Sequence, residues 1–270
     1  MTGKHQAVYT HGHHESVLRA HRRRTAEDSA GYLLAHLRPG MSMLDVGCGP
    51  GTITVGLAAR VAPGLVTAVE LTDVALDLAR GEARERNQAN IAFATSDIHA
   101  LDFPDDTFDV VHAHQVLQHV ADPVQSLREL RRVCVSNGIV AVRDADYAGF
   151  IWFPKLPALE RWRELYVEAA QANGGEPDAG RRLLSWAQDA GFDDITPTAS
   201  TWCFATPETR DWWGGMWADR IVESALARQL VDSGMSTTAE LNEISSAWLD
   251  WAAACDGWLA IPNGEILCRA

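Results

Sequence analysis

The chain has 270 residues, enough for one well-cored α/β domain with an insertion and short for two independent ones. It carries 36 acidic against 23 basic side chains, and the formal net charge of −13 would be repelled by a phosphate backbone, so no nucleic-acid partner is expected. No apolar run approaches the roughly 18 residues of a membrane span, and the polar start, Met1 to Gln6, lacks the apolar core of a secretory signal.

In chain order, Thr25-Ala-Glu-Asp28 resembles a capping box and predicts a helix running to Leu37, ended by Arg38-Pro39-Gly40. A short apolar strand follows at Met43 to Val46, then a loop with Gly47, Gly49 and Gly51, then a helix from Thr52 to Arg60. Leu65 to Glu70 reads as a second buried strand ending on an acid, and Asp73 to Asn87 as a helix. Ile91 to Thr95, Phe108 to Ala113 and Gly138 to Arg143 are further strands, with a helix at Pro123 to Val133. Short apolar strands alternating with helices predict a parallel sheet covered on both faces. Beyond Asp146 the pattern changes. Helices are expected at Pro157 to Asn173, Arg181 to Ala190, Pro207 to Val231 and Thr238 to Cys255, with a strand at Ile195 to Phe204. Trp258 to Ile261 and Glu265 to Cys268 read as two short strands around a Pro262-Asn263-Gly264 turn.

The glycine-rich loop lets backbone N–H groups approach a ligand that side chains would hold away, and it tolerates positive φ. A dinucleotide fingerprint counted from Gly47 requires glycine or alanine where Thr52 stands, so that pattern fails. The stretch Leu44-Asp-Val-Gly-Cys-Gly-Pro-Gly51 instead resembles the first motif of class I S-adenosylmethionine-dependent methyltransferases. The resemblance continues through Glu70, Ser96-Asp97-Ile98, Phe108-Asp-Val-Val111, His114 to Val120, Asp122-Pro123 and the helix Leu127 to Val133. It covers about residues 40–145, with spacing like the ubiquinone/menaquinone-biosynthesis type of small-molecule methyltransferase.

The resemblance implies a Rossmann-like, doubly wound, mostly parallel seven-stranded sheet. An N-terminal helical lid at 1–40 would precede a methyltransferase domain at 41–270, with cap insertions at about 146–182 and 206–257. It implies S-adenosyl-L-methionine as cofactor. Glu70 would accept from the ribose diol, and Leu71 and Thr72 would follow it along the cofactor. Asp97 would take the adenine amine and the Ile98 N–H a ring nitrogen. Gly47, Cys48 and Gly49 would meet the ligand through backbone, and the Gly47 and His114 carbonyls with the Gln115 side chain would hold the methionine end. Cys48 has nothing basic beside it in sequence, which argues against a reactive thiol.

Methyl transfer from a sulfonium needs alignment and exclusion of water, and a base only where the acceptor is protonated. His119, in the turn before Asp122-Pro123, is the candidate base, or else a histidine stacked on the sheet. His112 inside its strand reads as buried and satisfied. His11, His13 and His14 have a possible metal spacing but no accompanying carboxylates, so no metal is expected. The segment around them reads as a lid over the cofactor, with Tyr9 and His14 as contacts.

All ten histidines lie at or before His119 and all ten tryptophans at or after Trp152. Trp212, Trp213 and Trp217 with the Tyr147 to Phe153 stretch would roof the acceptor, which suits a flat or greasy molecule, aromatic or polyketide-like. Five scattered cysteines without a CxxC pair fit a reduced, cytoplasmic setting. A homodimer is left open. The rival expectations are an NAD-dependent oxidoreductase and a non-catalytic S-adenosylmethionine-binding regulator.

Overall fold

The computed structural model describes residues 23–270. Its strands are β1 (Met43–Val46), β2 (Val66–Glu70), β3 (Ile91–Thr95), β4 (Phe108–His114), β5 (Cys134–Ala145), β6 (Ile151–Phe153), β7 (Ile195–Phe204) and β8 (Trp258–Arg269). The first five pair in parallel in the order β3-β2-β1-β4-β5. β8 then pairs antiparallel with β5 on one flank and with β7 on the other. The sheet is mostly parallel, as expected, but has eight strands rather than seven. Ile151–Phe153 pairs with Trp258–Ala260 as a short extra strand, too brief to leave a periodic signal.

Successive residues of the central strands serve opposite faces, and both faces are buried. Met43, Val110, Ile139 and Ala141 pack with Ile53 and Leu57 of α3 (Thr52–Val61). Leu44, Val46, Val111, Ala113, Val140 and Val142 pack with Leu127 and Leu130 of α5 (Pro123–Val133) and Leu183 and Ala187 of α7 (Ala179–Asp189). The helix α4 (Asp73–Glu85) covers β2, where Leu76 and Ala79 meet Ala68 and Cys48.

The single helix predicted from Thr25 to Leu37 is two one-turn helices, α1 (Ala26–Ser29) and α2 (Gly31–Leu34), parted at Ala30 and Gly31. The Thr25–Asp28 capping box is formed. Ala26, Ala30 and Leu33 are buried against the α3 face of the sheet, so this stretch belongs to the core layer. Pro207 to Val231 is likewise divided, by the extended residue Ser224, into α8 (Pro207–Glu223) and α9 (Ala225–Asp232). Pro262-Asn263-Gly264 does not turn. It continues β8, with Asn263 opposite both Ala145 and Ser200.

Helices α6 (Pro157–Ala172), α8, α9 and α10 (Thr238–Ala253) share their own core, in which Trp162, Trp217, Trp248 and Trp251 are fully buried with Tyr147 and Phe150 beside them. Trp162 meets Trp217 and Trp248 edge-on at 4.6 and 4.9 Å between centroids. The stretches around 146–182 and 206–257 thus contribute to one aromatic block.

Helix α7 lies so close to β8 that a Cβ on Gly264 would stand 2.0 Å from the Gly180 carbonyl oxygen. Backbone cannot yield as a flexible side chain would. Gly264→Ala should therefore cost about 1–3 kcal/mol of stability. A urea melt should show a lower midpoint with an unchanged slope.

Candidate active site

The loop after β1 is left-handed at three places, with φ of +69° at Gly47, +54° at Gly49 and +83° at Gly51. A Cβ at Gly47 would lie 2.5 Å from Val116 Cγ2, so the tips of β1 and β4 approach as closely as glycine allows. Asp45 secures this turn from below. Its carboxylate accepts from Thr54 Oγ1 at 2.6 Å and faces His112 Nδ1 at 2.8 Å, all three side chains buried. His112 is thus satisfied at one nitrogen, while its Nε2 has no hydrogen-bond partner among the described residues.

At the end of β2, Glu70 accepts from the Gly49 N–H at 2.8 Å and the Leu71 N–H at 3.2 Å. Its carboxylate faces the loop at the rim of a cavity of roughly 400 Å³. Gly47, Cys48, Gly49, Glu70, Leu71, Thr72, Ile98, His114, Gln115 and His119 all line this cavity. Burial pushes the Cys48 thiol well up, with Asp45 and Glu70 adding to the effect, which agrees with an unreactive sulfur. Tyr9, His11, His13 and His14 lie outside the described residues. Among the described residues no three His, Cys, Asp or Glu side chains cluster as a metal site.

Asp97 departs from expectation. Its carboxylate closes its own turn, accepting the His99 N–H at 2.9 Å and facing His99 Nδ1 at 2.8 Å. Its neighbours Ser96 and Ile98 reach the cavity wall, and Asp97 does not. Gln115 also differs. Held at φ +57°, it spends its amide on Asn263 and Gln118 rather than pointing it bare into the cavity.

The far wall is aromatic: Tyr147, Phe150, Trp202, Trp213 and Trp217, with Arg24 and Arg220 among them. Trp202 is the organiser the sequence did not flag. Its ring lies between the guanidiniums of Arg143, 4.3 Å from the centroid, and Arg24, at 5.0 Å, with His114 edge-on at 5.7 Å. Its indole N–H donates to the Asp28 carbonyl at 3.2 Å, which fastens β7 to the chain before β1. Alternation along β7 places Trp202 beside the buried Arg143–Glu265 pair, a long-range arrangement without local signal.

His119 sits in a single 3₁₀ turn (Leu117–His119) after β4. Burial and the nearby Arg24 charge hold its imidazole down at about 3, so it is uncharged near neutrality. Beneath the same turn, fully buried Asp144 accepts the Leu117 and Gln118 N–H groups, and burial raises its carboxyl to about 7. Unfolded His119 would regain its ordinary 6.5, so the folded state resists protonation and loses stability as pH falls below 6.5. Asp144 has the opposite sign: its contribution is complete below 3.8 and is lost as pH rises through 7. His119→Gln should then gain stability relative to the parent as pH drops from 6.5 toward 4. Melting temperatures measured across that range check this, and a difference independent of pH would contradict it.

The profile of a methyltransferase-domain family matches residues 37–191. An uncharacterized methyltransferase of Schizosaccharomyces pombe is 36% identical over 98% of this chain and 97% of its own length. A demethylmenaquinone methyltransferase of Staphylococcus aureus is 28% identical over 58% of this chain and 63% of its own. Among solved structures, phosphoethanolamine N-methyltransferase 2 of Haemonchus contortus, bound to phosphomonomethylethanolamine and S-adenosylhomocysteine, is similar with a TM-score of 0.55 at 20% identity. That likeness covers 86% of this chain, which spans about half (49%) of the other. The cyclase SpnF is similar with a TM-score of 0.51 at 21% identity over 97% of this chain and 87% of its own. At such identities the likeness is one of fold alone, and a cyclase among the neighbours shows how little a fold says about the reaction.

Proposed function

The chain belongs to the methyltransferase-domain family and is an S-adenosylmethionine-dependent methyltransferase, and we propose that it methylates a small organic acceptor, aromatic or polyketide-like, by in-line displacement. The observation that carries this is the single cavity that begins at bare loop backbone and ends on Tyr147, Phe150, Trp202, Trp213 and Trp217. A site of that shape holds two small molecules end to end, one polar-tailed and one flat.

The residues present suit the methyl donor. The loop at Gly47 has no room for a side chain, so its backbone is what a ligand would meet. Glu70 would take the ribose hydroxyls, with Leu71, Thr72 and Ile98 along the nucleoside. Gly47, Cys48, Gly49 and the His114 carbonyl would hold the amino-acid end, with Gln115 close by. Asp97, whose bonds to His99 use Oδ1, would accept the adenine amine at its other oxygen. Tyr9 and His14 would contact the donor from a lid formed by the N-terminal segment. When bound, S-adenosylmethionine supplies a methyl group on a positively charged sulfur that departs as a neutral thioether. The aromatic block then serves to align the acceptor and to exclude water, both of which speed a displacement without charged catalysis. His119, the candidate base, would act from its uncharged form. With a pKa of about 3 it is a weak base and a ready hydrogen-bond acceptor.

The nicotinamide alternative gives way to family membership. A cytoplasmic setting fits the five unpaired cysteines. Incubation of the protein with methyl-labelled donor and a metabolite extract should place label in aromatic small molecules. Label found only in protein or nucleic acid would overturn the acceptor class. Glu70→Gln keeps an acceptor for the Gly49 N–H but removes the charge, so it should weaken donor binding by about 1.5–3 kcal/mol in calorimetry. Unchanged affinity would remove Glu70 from the ribose site.

A further inference from the structure

Three amides, two of them (Gln115 and Gln118) on the cavity wall, form a relay with only one possible direction. Asn263, fully buried in β8, donates from Nδ2 to the Ile261 carbonyl at 3.0 Å. A backbone carbonyl can only accept, so this bond fixes which end of Asn263 is nitrogen. Asn263 Oδ1 then accepts from Gln115 Nε2 at 2.8 Å, and Gln115 Oε1 accepts from Gln118 Nε2 at 2.6 Å. The relay ends on Gln118 Oε1, a buried oxygen without a partner among the described residues, in a residue only 4% exposed on the cavity wall. Turning Gln118 over would set its oxygen against that of Gln115.

The backbone of Gln118 is pinned as well. Its N–H donates to Asp144 at 3.2 Å and its carbonyl accepts the Glu176 N–H at 3.0 Å. A Cβ on Gly175 would lie 2.6 Å from that carbonyl oxygen, so the cap chain closes tightly on the turn. Gln115 is kept in the left-handed region to make its two side-chain bonds. An unpaired buried acceptor is costly, and strained backbone that maintains one marks a functional position.

We propose that Gln118 Oε1 receives a hydrogen bond from the acceptor, and that this enzyme's acceptors therefore carry an O–H or N–H donor on an aromatic body. The inference rests on the acceptor reading above and adds a polar requirement to it. Gln118 is the contact residue, while Gln115 and Asn263 are positioning residues that set which of its atoms is left to accept. An acceptor lacking the donor leaves the oxygen buried and unpaired, and that penalty gives the discrimination. Gln118 does not take the proton, which His119, the candidate base, would receive as the methyl group is transferred. The hydrogen bond holds the donor group, and His119 one residue on offers a second, uncharged acceptor.

The test uses the full chain loaded with S-adenosylhomocysteine and two probes of similar size, 2-naphthol and 2-fluoronaphthalene, with calorimetric binding. The naphthol should bind tighter by about tenfold or more. In Gln118→Met the preference should fall to roughly twofold or less, with S-adenosylhomocysteine affinity unchanged. Equal binding of both probes to the parent, or a preference that survives in Gln118→Met, overturns the role of Gln118 and leaves the aromatic acceptor standing. Failure of both probes to bind while S-adenosylhomocysteine still does overturns the aromatic acceptor and this inference together.

Discussion

Contact between Gly47 and Val116 determines how closely the first and fourth strands converge, and the rest of the site is arranged around that convergence. With 2.5 Å between a would-be Cβ and the valine methyl, the loop cannot carry a side chain there and must take positive φ. Asp45 makes the geometry rigid by holding α3 through Thr54 and β4 through His112. The acid of the Leu-Asp-Val-Gly stretch is thus a brace beneath the loop. Glu70 completes the frame from the neighbouring strand by accepting the Gly49 N–H.

The cap solves a different problem. A cavity that must admit a flat molecule and exclude water needs walls that do not collapse, and interlocked aromatic rings provide them. Trp162 supports the wall from behind by meeting Trp217 edge-on, and Tyr166 does so by stacking on Tyr147 at 4.0 Å between centroids. Trp202 works the opposite side, joining β7 to Arg143, Arg24 and Asp28. Polar chemistry in the wall is confined to a few placed groups, among them Gln118 at the end of its relay.

Local signals carried the first half of the molecule. Strand and helix bounds at Ile91–Thr95 and Pro123–Val133 were legible because short apolar runs and an Asp-Pro start are local features. Gly47 to Gly49, Glu70 and Ile98 line one cavity because each lies at or just past the end of a strand of one sheet. Asn263 was misread as a turn residue, since Pro-Asn-Gly ordinarily bends a chain. Here both flanks of β8 are paired, and that tertiary pairing overrides the local preference. For Asp97, residue type set what it could accept, while the bonds of its Oδ1 to His99 two residues on are a feature of the folded turn. The Arg24–Trp202–Arg143 stack and the Gln118 relay join residues far apart in sequence, so no window of sequence contains them.

The position of β8 has a consequence for how the molecule is made. It is the last strand in chain order, yet it lies inside the sheet, with Ile139 paired to Arg269 and Phe204 to Leu259. While a ribosome is still adding residues before Trp258, β5 and β7 are already synthesised and neither has its neighbour. Each presents a row of open amide and carbonyl groups, the condition under which strands pair with the wrong chain. Bringing the two edges together around a late strand closes very long loops, which is the slow kind of step in folding. The nascent enzyme must therefore hold an unfinished sheet until almost all of its cap has been made, and that interval is when a chaperone would matter most to its yield.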